Sequence, residues 1–351
     1  MSDTSSTTPI TQAIAVLARG ESLSESLAAQ VFGVVMRGEA TPSQMGAILL
    51  GLRAKGETAA EVAGVVRALR SSMVTVSAEG PHVVDTCGTG GGTVPTFNIS
   101  TVAAFVAVGG GATVPKHGNR SYTSQCGSAD VLEALGVVIP PDAAAAQAAL
   151  ARARIAFLFA PNFHPAMRHI GPVRKELGVT TVMNLVGPLA NPAGVRRQVV
   201  GVADASRAPL VADALALLGT EHALVVHGRV GMDEISPEGL TDVWEIREGK
   251  TSHWVLDPAS LGLPTVNVAL LRGGAPAENA RRAEQILDGG ARDEPGRTAV
   301  LLNAGAAIYV AGLAKDMAEG LKRARAALDS GAAREALQKL RNGGAGVSTS
   351  G

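Results

Sequence analysis

A chain of 351 residues, 46% of them apolar, can bury a large core and suits either one large domain or a large domain with a smaller companion. Its 31 basic residues balance 31 acidic ones, so a broad nucleic-acid surface is not indicated, although a local basic pocket is compatible with the balance. Only Cys87 and Cys126 are present, which argues against a disulfide scaffold, and the start MSDTSSTT lacks an apolar signal core; the expectation is a soluble cytoplasmic protein with no membrane or nucleic-acid partner.

From residue 10 to 73 apolar side chains recur at three- and four-residue intervals, and Gly20, Gly38 and Gly56 each close a unit. Ser22 with Glu25, Thr41 with Pro42 and Gln44, and Thr58 with Glu61 read as capping boxes, so the pattern predicts four short helices. Leu49, Leu50, Val65, Val66 and Leu69 exceed what so small a bundle hides internally, and this predicts packing on a second copy of the chain.

Residues 86–115 carry no charge, yet they are too rich in Gly, Thr, Ser, Asn and Pro for a membrane span. Residues 82–84 read as a short strand entering Asp85. Gly88, Gly90, Gly91 and Gly92 follow as a loop, and Asn98, Ser100 and Thr101 open an apolar helix. That order aims unpaired backbone N–H groups and the positive end of a helix dipole at an anion. Lys116, His117, Asn119 and Arg120 come next and offer charge and forked donors. The loop matches neither GxxxxGKS/T nor a dinucleotide fingerprint, so those phosphate-site families drop out.

Residues 112–114, 155–159, 198–202 and 222–226 read as buried strands, with helices at 128–135, 142–154 and 205–218 between them. This alternation predicts an α/β fold with a mainly parallel central sheet. Residues 241–256 read as an edge hairpin, helices at 279–287 and 299–311 close the domain, and the Gly/Ser-rich tail after Arg341 reads as disordered. Asp233 and Glu234 follow an apolar strand. By itself an Asp-Glu pair reads as a solvated turn, and a helix arginine such as Arg174 as an exposed cation.

The context of these residues is more specific. GTGG followed by TFNIST, KHGNR and GSADVLEALG resembles the anthranilate phosphoribosyltransferases, and the likeness continues through FLFAPNFHPAMRHIGPVRKELG, NLVGPLANP and GMDEIS in one colinear series over about residues 8–340. The resemblance implies a nucleoside-phosphorylase-like fold: a small helical domain over 1–77, rejoined by about 164–190, and an α/β domain over 78–351. It implies transfer of a phosphoribosyl group from phosphoribosyl pyrophosphate to the amine of anthranilate, by a Mg²⁺-dependent homodimer joined through the helical domain.

The resemblance also assigns residues. Phosphoribosyl pyrophosphate would lie on Gly88, Gly91, Gly92, Thr96, Asn98, Ile99, Ser100, Thr101, Lys116, His117, Gly118, Asn119, Arg120, Ser124 and Ser128. Anthranilate would meet Gly88, His117, Asn119, Arg174 and Gly187, and Ser100, Asp233 and Glu234 would hold Mg²⁺, a hard cation that takes few protein ligands. No general base is assigned: the acceptor is an aniline-type amine, already neutral near pH 7, so His117 and His164 have no proton to remove. The family commonly has Asp where this chain has Gly92, and Lys and Ser where it has Gln125 and Cys126, which bears on metal dependence and diphosphate affinity. Two other readings stay open, a pyrimidine nucleoside phosphorylase-like enzyme and a non-catalytic nucleic-acid-binding relative. Arg174 with Asn119, the Asp233-Glu234 pair and the zero net charge favour the transferase.

Overall fold

The computed structural model describes residues 8–121, 125–289 and 293–344; Ser124 and the tail 345–351 lie outside the described residues. The N-terminal helices are Pro9–Ala18, Glu25–Met36, Pro42–Lys55 and Ala59–Ser71. Thr41 and Thr58 form the expected capping boxes with Gln44 and Glu61. The second helix starts differently: Ser24, not Ser22, is its cap and accepts from Leu27 N at 3.1 Å. The reason is tertiary, because Glu61 takes Leu23 N at 2.8 Å and Lys55 donates to Ser22 Oγ at 3.2 Å, fixing this entry segment from the other side.

The apolar surplus of these helices is consumed within one chain. Leu49, Val65, Val66 and Leu69 are buried, leaving only Leu50, at 51% exposure, of the five set aside for a second copy. They join a core with Ile170, Val173, Val182, Met183 and Val186, and with helix Ala208–Leu217 and one face of the sheet. Helix Met167–Leu177 packs on the second and third helices of the chain.

Among the described residues seven strands follow: β1 Asp85–Gly88, β2 Val114–Gly118, β3 Ile155–Phe159, β4 Arg197–Gly201, β5 His222–Gly228, β6 Thr241–Arg247 and β7 Lys250–Leu256. One sheet runs β1-β4-β5-β6-β7, parallel from β1 to β5 with the hairpin β6-β7 antiparallel at its edge; β2 and β3 form a separate parallel pair. Val83 and Thr113 make an isolated parallel bridge between the two sheets. The parallel strands therefore end at one side, where ligands of such sheets bind in the crevice beside a topological switch.

The strands β1 and β2 start later than their apolar runs suggested. β2 extends through Lys116 and His117, both buried, because β1 supplies partners that a local pattern does not show. Two further helices, Met317–Asp329 and Ala332–Arg341, follow the expected closing pair. Their buried stripes mix small and large side chains, Ala324 and Ala327 beside Met317, Leu321 and Leu328 in one and Ala333 and Ala336 beside Leu337 and Leu340 in the other. With helices Ile99–Gly109 and Glu294–Val310 they build the second core, on the face opposite the helical unit. The start of the tail, Asn342–Gly344, is a short 3-10 turn.

Candidate active site

The glycine loop leaves the end of β1 and is pinned on both sides. Thr89 N donates to Gly201 O at 2.9 Å, Ala203 N donates to Thr89 Oγ1 at 3.1 Å, and Thr93 N donates to Gly231 O at 3.0 Å. Between these pins the loop passes directly over Asp233, whose Oδ2 accepts from Gly90 N at 2.8 Å. A Cβ at Gly88 would stand 2.5 Å from that oxygen, and one at Gly92 2.9 Å from Gly231 O. Gly92 is outside the positive-φ region, so the demand for glycine there is close approach, not backbone conformation.

Glu234 completes a cluster. Thr96 Oγ1 donates to its Oε2 at 3.1 Å and the Ser100 backbone also bonds it, so the start of helix Ile99–Gly109 and the GMDEIS turn meet. Thr86, Cys87, Ser100, Gly201, Asp233 and Glu234 line one cavity. Burial raises the Asp233 carboxyl, and burial followed by the charge of Asp233 raises Glu234 well above the usual range. Two crowded carboxylates to which no basic side chain among the described residues is hydrogen-bonded form a donor set suited to a hard divalent cation that completes its shell with water or substrate oxygens. Among the described residues no group of three or more His, Cys, Asp or Glu could hold a metal by itself. The Ser100 hydroxyl accepts from Lys116 Nζ at 3.4 Å and lines the same cavity as the acidic pair.

Several expected phosphate donors are engaged within the protein. Lys116 is 2% exposed and donates to Thr86 O at 2.5 Å. Burial lowers its pKa, against the opposing pull of Asp85, Cys87 and Glu234. Arg120 is not a free fork: it bonds Asp130 and, through both terminal nitrogens, Glu133, with its guanidinium over the Phe159 ring. Asn98 caps nothing with its side chain. Its amide joins Cys126 O at 3.1 Å and Asn279 Nδ2 at 3.0 Å, a buttress that the sequence did not reveal because Asn279 is 181 positions away. Ile99 is fully buried, and so is Thr101, in the core near Lys116 and Phe105. Gly118 abuts Phe157, and Ser128 opens helix Ser128–Ala134.

On the acceptor side the structure brings distant motifs together. The rings of His117 and His164 stand 5.1 Å apart. The His117 ring also meets the Gly187 backbone. Asn119 is half-buried, with its Oδ1 accepting from Arg120 N at 2.8 Å, and Arg174 is half-buried in the last turn of helix Met167–Leu177. Burial lowers His117 to about 3 and His164 to about 4, so both are neutral well above those values. Acceptor KM and kcat should therefore show no step near the ordinary histidine range of about 6.5. A pH profile with an inflection there that disappears in His117→Gln would overturn the neutral assignment.

The comparisons with known proteins agree with this architecture. The model described as the helical bundle domain of a glycosyl transferase family matches residues 11–73, and that of the family's a/b domain matches residues 80–334. The chain is 49% identical over 333 residues to the anthranilate phosphoribosyltransferase of Roseiflexus castenholzii, covering 95% of this chain and 97% of that protein. It is 49% identical over 331 residues to that of an Anaeromyxobacter species, covering 94% and 97%. The crystal structure of the Thermus thermophilus enzyme superposes with a TM-score of 0.89 at 41% identity, covering 94% of this chain and 98% of that one. The Saccharomyces cerevisiae enzyme in complex with PRPP and Mg superposes with a TM-score of 0.87 at 28% identity, covering 96% and 98%. With both modules in order, and identity near one half over almost its whole length, this chain belongs to the anthranilate phosphoribosyltransferase family.

Proposed function

We propose that the chain transfers the phosphoribosyl group of phosphoribosyl pyrophosphate to the amine of anthranilate, giving N-(5-phosphoribosyl)anthranilate and pyrophosphate in tryptophan biosynthesis. The observation that carries this reading is the seating of the glycine loop on the acidic pair, with Gly90 N bonded to Asp233 and Thr96 bonded to Glu234. It sets a cation site against a diphosphate loop. Asp233 and Glu234 would hold Mg²⁺, which when bound supplies positive charge to the departing pyrophosphate.

The chain's own residues supply position and charge. The glycine loop and the start of helix Ile99–Gly109 border the acidic pair through Gly90 N and Thr96, and holding amine and sugar together there replaces a bimolecular encounter by a unimolecular one. The neutral amine attacks C1 of the ribose as the bond to pyrophosphate breaks, and the N–H proton leaves to solvent afterwards. His117 and His164, held neutral, pack beside the acceptor without serving as base. Arg174 pairs with the anthranilate carboxylate, and Asn119 and the Gly88 and Gly187 backbones border that site. The enzyme acts as a cytoplasmic homodimer through the helical unit, for which exposed Leu50 is a contact; sedimentation velocity of wild type against Leu50→Glu tests the assembly.

The direct assay is loss of anthranilate fluorescence on adding phosphoribosyl pyrophosphate and Mg²⁺. Phosphorolysis of a pyrimidine nucleoside without this loss would instead favour the phosphorylase reading. Arg174→Ala should raise the KM for anthranilate about 10- to 100-fold and leave that for phosphoribosyl pyrophosphate nearly unchanged, the effect of losing a charge-assisted bond of roughly 1.5–3 kcal/mol. Equal rises in both constants remove Arg174 from the acceptor site.

A further inference from the structure

The gap between β1 and β2 is bridged by side chains where a sheet would have ladder bonds. Asp85, fully buried, is the first residue of β1, three positions before Gly88. Its Oδ1 accepts from the backbone N of His117 at 3.3 Å and its Oδ2 accepts from Asn191 Nδ2 at 2.7 Å. Asn191, 1% exposed, is locked in orientation: Nδ2 also donates to Pro115 O at 2.8 Å, and Oδ1 accepts from Ala193 N at 2.8 Å. Proline at 115 offers no N–H, so β2 could not complete a regular ladder here in any case. One carboxylate thus touches His117, holds the end of the segment carrying Gly187, and sits on the strand that launches the glycine loop.

We infer that Asp85 and Asn191 are a positioning pair that sets the acceptor half of the site, His117 and Gly187, against the diphosphate loop. Neither residue contacts substrate in this assignment, which rests on the function proposed above. Their effect runs through the main chain of β2 and of residues 187–191. The rest of that segment is tied down as well: Gln198 Nε2 donates to Pro188 O at 3.0 Å, and Arg70 donates to Leu189 O at 3.0 and 2.7 Å. Asn191 is the tie that joins it to the site strand.

The donor pattern makes a swap test possible. In Asp85→Asn the introduced amide NH₂ must face either His117 N–H or Asn191 Nδ2, so one bond becomes a donor-donor contact. In Asn191→Asp two carboxylates oppose each other. When both substitutions are combined, the amide nitrogen now at position 85 faces the carboxylate now at position 191. The amide oxygen at position 85 then accepts from His117 N, and the carboxylate at position 191 still accepts from Ala193 N; at Pro115 O the donor is replaced by an acceptor, so that one contact turns unfavourable. Each single variant should raise the KM for anthranilate about tenfold or more with the KM for phosphoribosyl pyrophosphate within about threefold. The double variant should recover part of the loss relative to either single variant, because it restores the contact between positions 85 and 191 but not the one to Pro115 O. Hydrogen exchange by mass spectrometry on the same proteins should accelerate at 114–118 and 183–192 in the singles, with helix Glu294–Val310 unchanged. Equal changes in both KM values, no recovery in the swap, or unaltered exchange in those two stretches overturns the assignment. A wild type that exchanges normally but does not consume anthranilate counts against the proposed function, and the exchange comparison alone then decides the role of the pair.

Discussion

Replacing Asp233 by Asn and Glu234 by Gln together should lower kcat roughly a hundredfold or more while leaving the protein folded. The bonds from Gly90 and Thr96 survive the exchange, since an amide oxygen still accepts from Gly90 N at position 233 and from Thr96 Oγ1 at position 234. What is lost is negative charge. Burial, and for Glu234 the neighbouring Asp233 as well, already penalises that charge in the folded chain, so its removal should leave the melting temperature in EDTA unchanged or higher. Activity and stability therefore move in opposite directions, which a merely disruptive substitution would not produce. Calorimetric titration with Mg²⁺ and phosphoribosyl pyrophosphate should show weakened binding, and excess Mg²⁺ should restore part of the rate. A variant with parental kcat and parental Mg²⁺ dependence would falsify the cation assignment.

Glu61→Ala should cost about 3–5 kcal/mol of stability, the range for breaking a buried ion pair by removing one partner. Glu61 is completely buried, and its carboxylate accepts from Leu23 N at 2.8 Å, Thr58 N at 2.8 Å, Thr58 Oγ1 at 3.0 Å and Lys55 Nζ at 2.9 Å. Truncation leaves two backbone donors and the ammonium of Lys55, whose side chain is only 9% exposed, without that acceptor. Three helix junctions loosen at once, because Leu23 precedes the second helix, Lys55 ends the third and Thr58 caps the fourth. Thr58→Ala, which removes one cap bond, should cost only about 1 kcal/mol. Urea unfolding followed by circular dichroism measures both. If Glu61→Ala costs no more than Thr58→Ala, the carboxylate is an ordinary cap and not the junction of the bundle.

The contrast between these two sites shows how far a sequence can be read. The partner of Glu61 at Thr58 is three positions away, and a capping box follows from local backbone geometry, so it was legible. The bond to Leu23 lies 38 positions away, and it moved the start of the second helix from the expected cap to Ser24. The glycine loop, the apolar helix start and the Asp233-Glu234 pair were likewise visible as motifs, each with its chemistry written within a few residues.

Which charges remain free for a ligand was not legible, because charge pairing is decided across the fold. Arg120 reads as a phosphate donor beside KHGN, yet Asp130 and Glu133, on a helix that folds back beside it, take its fork. Lys116 reads as charge offered to the phosphate loop, and Thr86 O, 30 positions away, holds it inside. Asp85 and Asn191, 106 positions apart, were visible only as parts of longer motifs, and their contact exists because β1 and the 187–192 segment converge on β2. The sequence alone determined the four N-terminal helices, the parallel α/β character and the composition of the phosphate loop and acidic turn, because propensity, capping and backbone-lined turns act over a few residues. Only the tertiary structure decided where β1 and β2 begin, which polar groups are spent inside the protein, and how the acceptor half meets the loop, because a buried donor or acceptor must find its partner wherever the chain brings one.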